Sequence, residues 1–299
     1  MNRTPQIALL PDGKRLHLQD GPIDLIVGAK GKAAEIRAAY DAAAYRFTGL
    51  LDELCGELPE LREAADPLRC KLKGPVARRM HAAVAPFATD CFITPMAAVA
   101  GAVAEEILGE MLGAARLDRA YVNNGGDIAL HLGPGEQFTV GLMDRPDRLG
   151  VMRTMIVEVH DPSRGVATSG RHGRSFSLGI ADSVTVLART ASQADAAATI
   201  IANAVDLPNH PAITRCPANQ LQPDSDLGAR LVTRDVGRLS GQEIASALDA
   251  GAHRARQLLA VGLIDGAVLC LLGATAVVGT RGLDAPTSQA LHARTLEHA

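Results

Sequence analysis

Between residues 119 and 188 the chain runs through RAYVN, DIALHL, FTVGLM, RTMIVEVH and IADSVTVLA, five short β-prone segments in quick succession. No helical period falls between them, whereas parallel neighbours need a crossover of about a dozen residues or more, usually a helix. The run therefore predicts a central, mostly antiparallel sheet. Helical patterns stand on either side. TPMAAVAGAVAEEILGEMLGAA (94–115) is rich in small residues, so one face can press closely on another backbone, and SQADAAATIIANAV follows the strands. Helices at 95–114 and 191–205 flanking a sheet over 119–188 make the fold class α+β rather than alternating α/β.

The rest of the chain fits around that unit. RLHLQDGPIDLIVGA reads as a hairpin about an Asp-Gly turn, and a helix is expected over roughly 31–57. Pro75 stands just inside another helical start. Ser240 and Glu243 open a long helix in capping-box order. Residues 206–228, punctuated by proline, Asn and Asp, read as loop. The apolar stretch 261–279 is interrupted by Asp265 and glycines; its clean part is shorter than the ~20 residues of a spanning helix and reads as a helix end followed by a buried strand. No period of repeat length is visible, and the 299 residues are read as one domain, 1–299.

Charge and composition narrow the partners. A net charge of −3, no long basic run and 3% aromatic residues argue against a nucleic-acid surface, and no membrane segment is expected, which leaves a small-molecule ligand. Five cysteines without C-x-x-C spacing indicate neither a disulfide framework nor a zinc site, and the N-terminus lacks a signal-peptide core; a cytoplasmic location is expected.

Three stretches carry residues that chemistry needs. VNNGGDIALHL sets Asn123, Asn124, Gly125, Gly126 and Asp127 between two strand runs. Paired glycines expose backbone N–H groups and admit a close ligand, and they equally supply the positive φ of an ordinary hairpin turn. In ATSGRHGRSF, Thr168, Ser169 and Gly170 offer donors, while Arg171 and Arg174 offer planar forks matched to carboxylate or phosphate. That composition suits an anion cradle or a solvated basic loop. His172 lies between the two cations, which favour its neutral form. In ADAAATIIANAV, Asp195 and Thr199 are four apart and share a helix face, an arrangement that suits a Mg²⁺ keeping its waters beside a substrate phosphate. Asp195, three residues after Ser192, also reads as the capping acid of a Ser-x-x-Asp box.

Taken in order, the small-residue helix around 97–102, then VNNGGDI, ATSG and SVTVLARTASQADAAAT resemble the ApbE-like superfamily, whose best-known members are the FAD:protein FMN transferases. The resemblance runs from about 94 to 205 and is to a branch related to those transferases. It implies an α+β fold of two interlocked halves with the ligand between them. It also implies Asp195 and Thr199 as Mg²⁺ ligands beside a flavin-nucleotide pyrophosphate, with Asn123, Gly125, Gly126, Asp127, Thr168, Ser169 and Gly170 around FAD or FMN. Partners left open are a protein acceptor and a homo-oligomer.

Two departures accompany the matches. Gly101 stands where the transferases carry the lysine of A-K-G, and RHGRSFSLGIAD fills the interval where they carry H-x-x-D-P-x-T-G; the similar string HDPSRG (160–165) comes before the T-S-G. With that segment absent, Arg171 and Arg174 are expected to bind an anionic group and His172 to act as general acid or base, oriented by Asp182 and Ser183. The functional expectation is an ApbE-type enzyme acting on FAD or another phosphate- or carboxylate-bearing molecule, including Mg²⁺-dependent FMN transfer. The alternative is a non-catalytic flavin or small-ligand carrier on the same scaffold.

Overall fold

An edge strand β1 (Gln6–Leu9) leads into the expected hairpin, β2 (Leu16–Asp20) and β3 (Ile23–Lys30), in a computed structural model that describes residues 4–142, 153–279 and 283–284. Leu16, Leu18, Leu25 and Val27 are buried and the residues between them half-buried, the period of two of a sheet covered on one face. The helix expected over 31–57 divides at Gly49, whose φ of 84° lies outside the helical region, into α1 (Ala33–Phe47) and α2 (Leu50–Gly56). After α3 (Leu58–Leu61), Pro75 occupies the first position of α4 (Pro75–Val84), and a 3₁₀ turn over Pro95–Ala98 feeds α5 (Val99–Ala114). Then come β4 (Arg119–Asn124), β5 (Asp127–Leu132), β6 (Gln137–Leu142), β7 (Arg153–Glu158), β8 (Gly165–Ser169) and β9 (Ser183–Ala188). The chain continues through α6 (Ala191–Ala204), β10 (Ile213–Pro217), α7 (Ala218–Leu221), β11 (Leu231–Val236), α8 (Gly241–Ala260), β12 (Gly266–Leu271), β13 (Ala274–Val278) and β14 (Leu283–Asp284).

The large sheet has the order β1-β2-β3-β4-β5-β8-β9-β12-β13, and every neighbouring pair is antiparallel. The α+β expectation therefore holds, and the sheet extends beyond 119–188 because the first and last hairpins join it. Within that span one expectation is corrected. β6 and β7 leave the main sheet and form a separate one with β14. Their apolar side chains Val140, Met155 and Val157 pack on Leu130, Val166, Leu187 and Val268, a second core on the face away from the helices. Covered on both sides, β9 and β12 are buried at every position. Residues 206–228 are not all loop either: β10 pairs with β11 and α7 follows.

Stripped of β1 and the inserted segments, the chain passes twice through one topology. β2-β3-α1-α5-β4-β5 and β8-β9-α6-α8-β12-β13 are each a hairpin, two helices and a second hairpin, with the inner strands β3·β4 and β9·β12 paired. The halves join at β5 and β8 through the short register Ile128↔Val166 and Ala129↔Gly165. The helices lie in a row α1, α5, α6, α8 over one face of the sheet. Where α5 crosses the start of α6, small residues are obligatory: a Cβ on Gly101 would lie 2.3 Å from the carbonyl oxygen of Ala191.

Candidate functional site

The sequence Asn-Asn-Gly-Gly-Asp folds as a tight hairpin, Asn124 paired with Asp127 and the two glycines at φ 65° and 113°. Asn123 Oδ1 accepts the Gly126 N–H at 2.8 Å, closing the turn, while the buried Asn124 donates through Nδ2 to the carbonyl of Ala100 at 3.2 Å, fastening it to α5. Asp127 points to the helix face, like Ala129 two residues on, and its Oδ1 accepts the Thr168 N–H at 3.1 Å. The end of β8 and the β4–β5 turn are thus joined through one carboxylate.

Asp195 approaches the same place from α6. The Ser-x-x-Asp capping expectation is corrected here. The helix is capped by Thr190, whose hydroxyl accepts the Gln193 N–H, and Ser192 is drawn away to Glu105 of α5, to which its N–H and hydroxyl both donate, at 2.6 and 2.7 Å. Asp195, released from local capping, accepts the N–H groups of Ala100 and Gly101 (3.0 Å to Gly101) and so caps the first turn of α5 across the helix crossing. Thr199 follows one turn later on the same helix, half-buried.

The two carboxylates feel each other. Burial raises the Asp127 carboxyl to about 7, against the pull of the Thr168 N–H and Arg174. Burial again, followed by the charge of Asp127, holds Asp195 well above the ordinary carboxylate range, and the Gly101 and Ala100 N–H groups offset this in part. Two half-buried acids facing one another either share a proton or attract a cation. Arg174 stands at the outer side: its Nη1 donates to the carbonyl of Pro22 at 3.1 Å, and its guanidinium lies so close over Gly125 that a Cβ there would be 1.9 Å from Nη2.

Asp182 organises a second cluster. Arg171 donates to its Oδ1 through Nε (2.9 Å) and Nη2 (2.6 Å), His172 Nε2 lies 3.2 Å from the same oxygen, and the Leu272 N–H donates to Oδ2 at 2.5 Å. The side chains of Asp182 and Arg171 are 5% and 11% exposed, so this is a buried ion pair, and the Arg171 fork is engaged by the protein itself. Gly170, at φ 159°, passes so near the chain that a Cβ would meet the carbonyl of Asp182 at 2.4 Å. Ser183 is buried opposite Cys270. Thr168 gives the site its N–H, but its hydroxyl bonds that of Thr185 at 2.8 Å on the opposite sheet face, with Val166 and Leu187; Ser169 pairs with Val184. Of the expected residues, then, Asn123 to Asp127, the Thr168 N–H, Arg174 and Asp195 converge at the seam of the halves, Arg171, His172 and Asp182 form the adjoining cluster, and Ser183, two residues before Thr185 on β9 and opposite Cys270, lies on the sheet face of the second core. The backbone of Ala100 and Gly101 and the Glu105–Ser192 bonds belong to the site's frame, and no local motif announces them.

A family model described as AbpE bacteria matches residues 7–277, nearly the whole described chain. The chain belongs to this ApbE-like family. It is also similar to archaeal UPF0280 proteins: 38% identical over 152 residues to that of Methanothermobacter thermautotrophicus (50% of this chain, 56% of the relative) and 34% over 186 residues to that of Methanopyrus kandleri (60% and 69%). The chain thus spans a little over half the length of the first of these relatives, and their names specify no activity. Among the described residues no helix is long and apolar enough to cross a membrane, and no three or more His, Cys, Asp or Glu side chains gather as a metal cluster.

Proposed function

We propose that the seam between the halves binds a phosphate- or carboxylate-bearing small molecule, FAD being the first candidate, together with a divalent cation. The observation that carries this reading is the convergence of Asp127 and Asp195, two half-buried carboxylates whose repulsion a cation relieves. The donor set suits Mg²⁺, which takes one or two carboxylates, keeps several waters and completes its shell with substrate phosphate, and Thr199 adds a hydroxyl one helical turn from Asp195. Bound there, the cation supplies charge neutralisation to a pyrophosphate.

The chain's own residues do the rest. The N–H groups of Ala100 and Gly101 fix Asp195, and Asn124 ties the turn to the same helix. Arg174, at the outer side of the turn, offers its fork to an anionic group. Asp182 orients His172, whose ring takes a proton from an attacking group. In FMN transfer, an acceptor hydroxyl would attack the FMN phosphorus of FAD, its proton passing to His172 as AMP leaves. Two observations favour a second reading, a carrier of the same ligand: Gly101 has no room for a lysine, and Arg171 is engaged by Asp182.

Calorimetric titration with Mg²⁺ tests the site. Asp195→Asn should weaken binding about tenfold or more, since a hard cation loses a charged ligand; equal affinity in the two proteins, or none in either, rejects the cation reading. Incubation with FAD, Mg²⁺ and a threonine-bearing acceptor then separates enzyme from carrier by the acceptor's mass.

A further inference from the structure

A second cleft lies at the first edge of the sheet, far along the helical row from the seam. It opens between α1 and the strands β1 and β2, with a volume of about 570 Å³, within the ~300–1,000 Å³ of small-molecule sites. Its walls are apolar. Register pairs Ile7 with Leu18 and Leu9 with Leu16, so both β1 side chains lie on the helix face of the sheet, and α1 turns Ile36 and Ala44 toward them. Ile7 and Leu9 remain 43% and 56% exposed, because the helical row ends at α1 while the sheet runs on to β1. Its mouth is basic. Lys14, Lys30 and Arg37 line it with a single acid, Asp41, and Lys30 is paired to Glu136.

The repeated topology gives this cleft a meaning. In the second half α6 packs closely on its own first hairpin, β8 and β9, whereas α1, its counterpart in chain order, only touches β2 of its hairpin and leaves the space between open. Counted from the first residue of each helix, Arg37 and Asp41 stand fifth and ninth in α1, as Asp195 and Thr199 do in α6. The station that carries a carboxylate at the seam carries a guanidinium here, and no hairpin from another half closes over it. We propose that this cleft is a second ligand site, which takes a single apolar molecule ending in an anionic group such as a carboxylate or sulfonate. Arg37 and Lys14 meet the anion, and the β1 side chains cover the apolar body. Tyr40, whose hydroxyl donates to the Lys14 carbonyl at 2.7 Å and which burial holds protonated up to about 12, fixes the turn that carries Lys14. The concave shape suits a monomeric amphiphile rather than a bilayer surface, and the site is independent of the function proposed above.

The test uses 1-anilinonaphthalene-8-sulfonate, an apolar anion whose fluorescence rises on burial, in a protein without tryptophan. Saturable binding at one site per chain is expected, displaced by decanoate and not by decylamine. Arg37→Glu should weaken it about tenfold, since an attractive contact becomes repulsive. Ala44→Trp should abolish it by filling the cleft, and Arg174→Ala at the seam should leave it unchanged. Circular dichroism checks that each variant is folded. Equal displacement by decylamine, indifference to Arg37→Glu, loss in Arg174→Ala, or co-sedimentation with anionic phosphatidylglycerol vesicles that Arg37→Glu does not affect would each overturn the proposal. So would a dimer by light scattering that Ile7→Lys dissociates, because a second copy would then be the occupant.

Discussion

The second hairpins of the two halves, β4–β5 and β12–β13, have the same turn and opposite electrostatics. Each is closed by two residues at positive φ, Gly125–Gly126 in one and Leu272–Gly273 in the other, and each abuts a buried or half-buried carboxylate. At the second turn the carboxylate is Asp182, matched by the Arg171 guanidinium and by His172. At the first it is Asp127, which faces another acid, Asp195. Secondary structure alone does not distinguish the two places. The unbalanced charge does, and it marks the first as the one that wants something from outside.

Breaking the balanced side should have the largest effect. Asp182→Ala leaves Arg171 buried and unpaired and removes the acceptor of the Leu272 N–H, which should cost about 3–5 kcal/mol in urea unfolding, the usual scale for stranding one partner of a buried pair. A loss below about 1 kcal/mol would mean that water screens the pair.

On the unbalanced side the expected sign is reversed. A carboxyl raised to about 7 in the folded chain binds more protons there than in the unfolded one. Its stabilisation is therefore full below about pH 4 and lost as pH rises toward about 7. In chelator, Asp127→Asn should flatten that slope and raise stability at pH 8 by about 2 kcal/mol, roughly half of what the full shift would give, because water reaches this half-buried group. Saturating Mg²⁺ should flatten the wild-type slope in the same way. A wild-type slope unchanged by the substitution would show that the pair is not electrostatically strained.

The turns themselves complete the series. Gly125→Ala places a Cβ at positive φ against the Arg174 guanidinium and should destabilise by about 1–2 kcal/mol, while Leu272→Gly relieves a branched residue held at φ 47° and should stabilise by about 1 kcal/mol or less. Thermal melts of both variants read the contrast, and destabilisation by Leu272→Gly would mean that the leucine earns its place by packing.

Short-range physics made much of this legible in the sequence. Alternation located the strands, Gly-Gly between Asn and Asp located the turn, and Ser240 with Glu243 forms the capping box its spacing predicts. What failed to show depended on distant partners. Ser192 looks like a cap until Glu105 of another helix claims it, and Asp195 looks local until it is seen holding the start of α5. β6 and β7 carry strand patterns like their neighbours, and nothing within them says that they form a separate sheet, with β7 paired to β14. The repeated topology leaves no sequence period because its halves bury different surfaces: no residue of α6 is exposed, whereas α1 lies at the margin with a third of its residues exposed.

The short β5–β8 seam carries a historical corollary. Asp127 comes from the first half and Asp195 from the second, so neither half owns the site. If the halves descend from one duplicated gene, the ancestral protein could have built this site only as a pair of subunits, and by symmetry it would have built two. In the single chain the two stations are free to differ, and they do: α1 carries arginine where α6 carries aspartate.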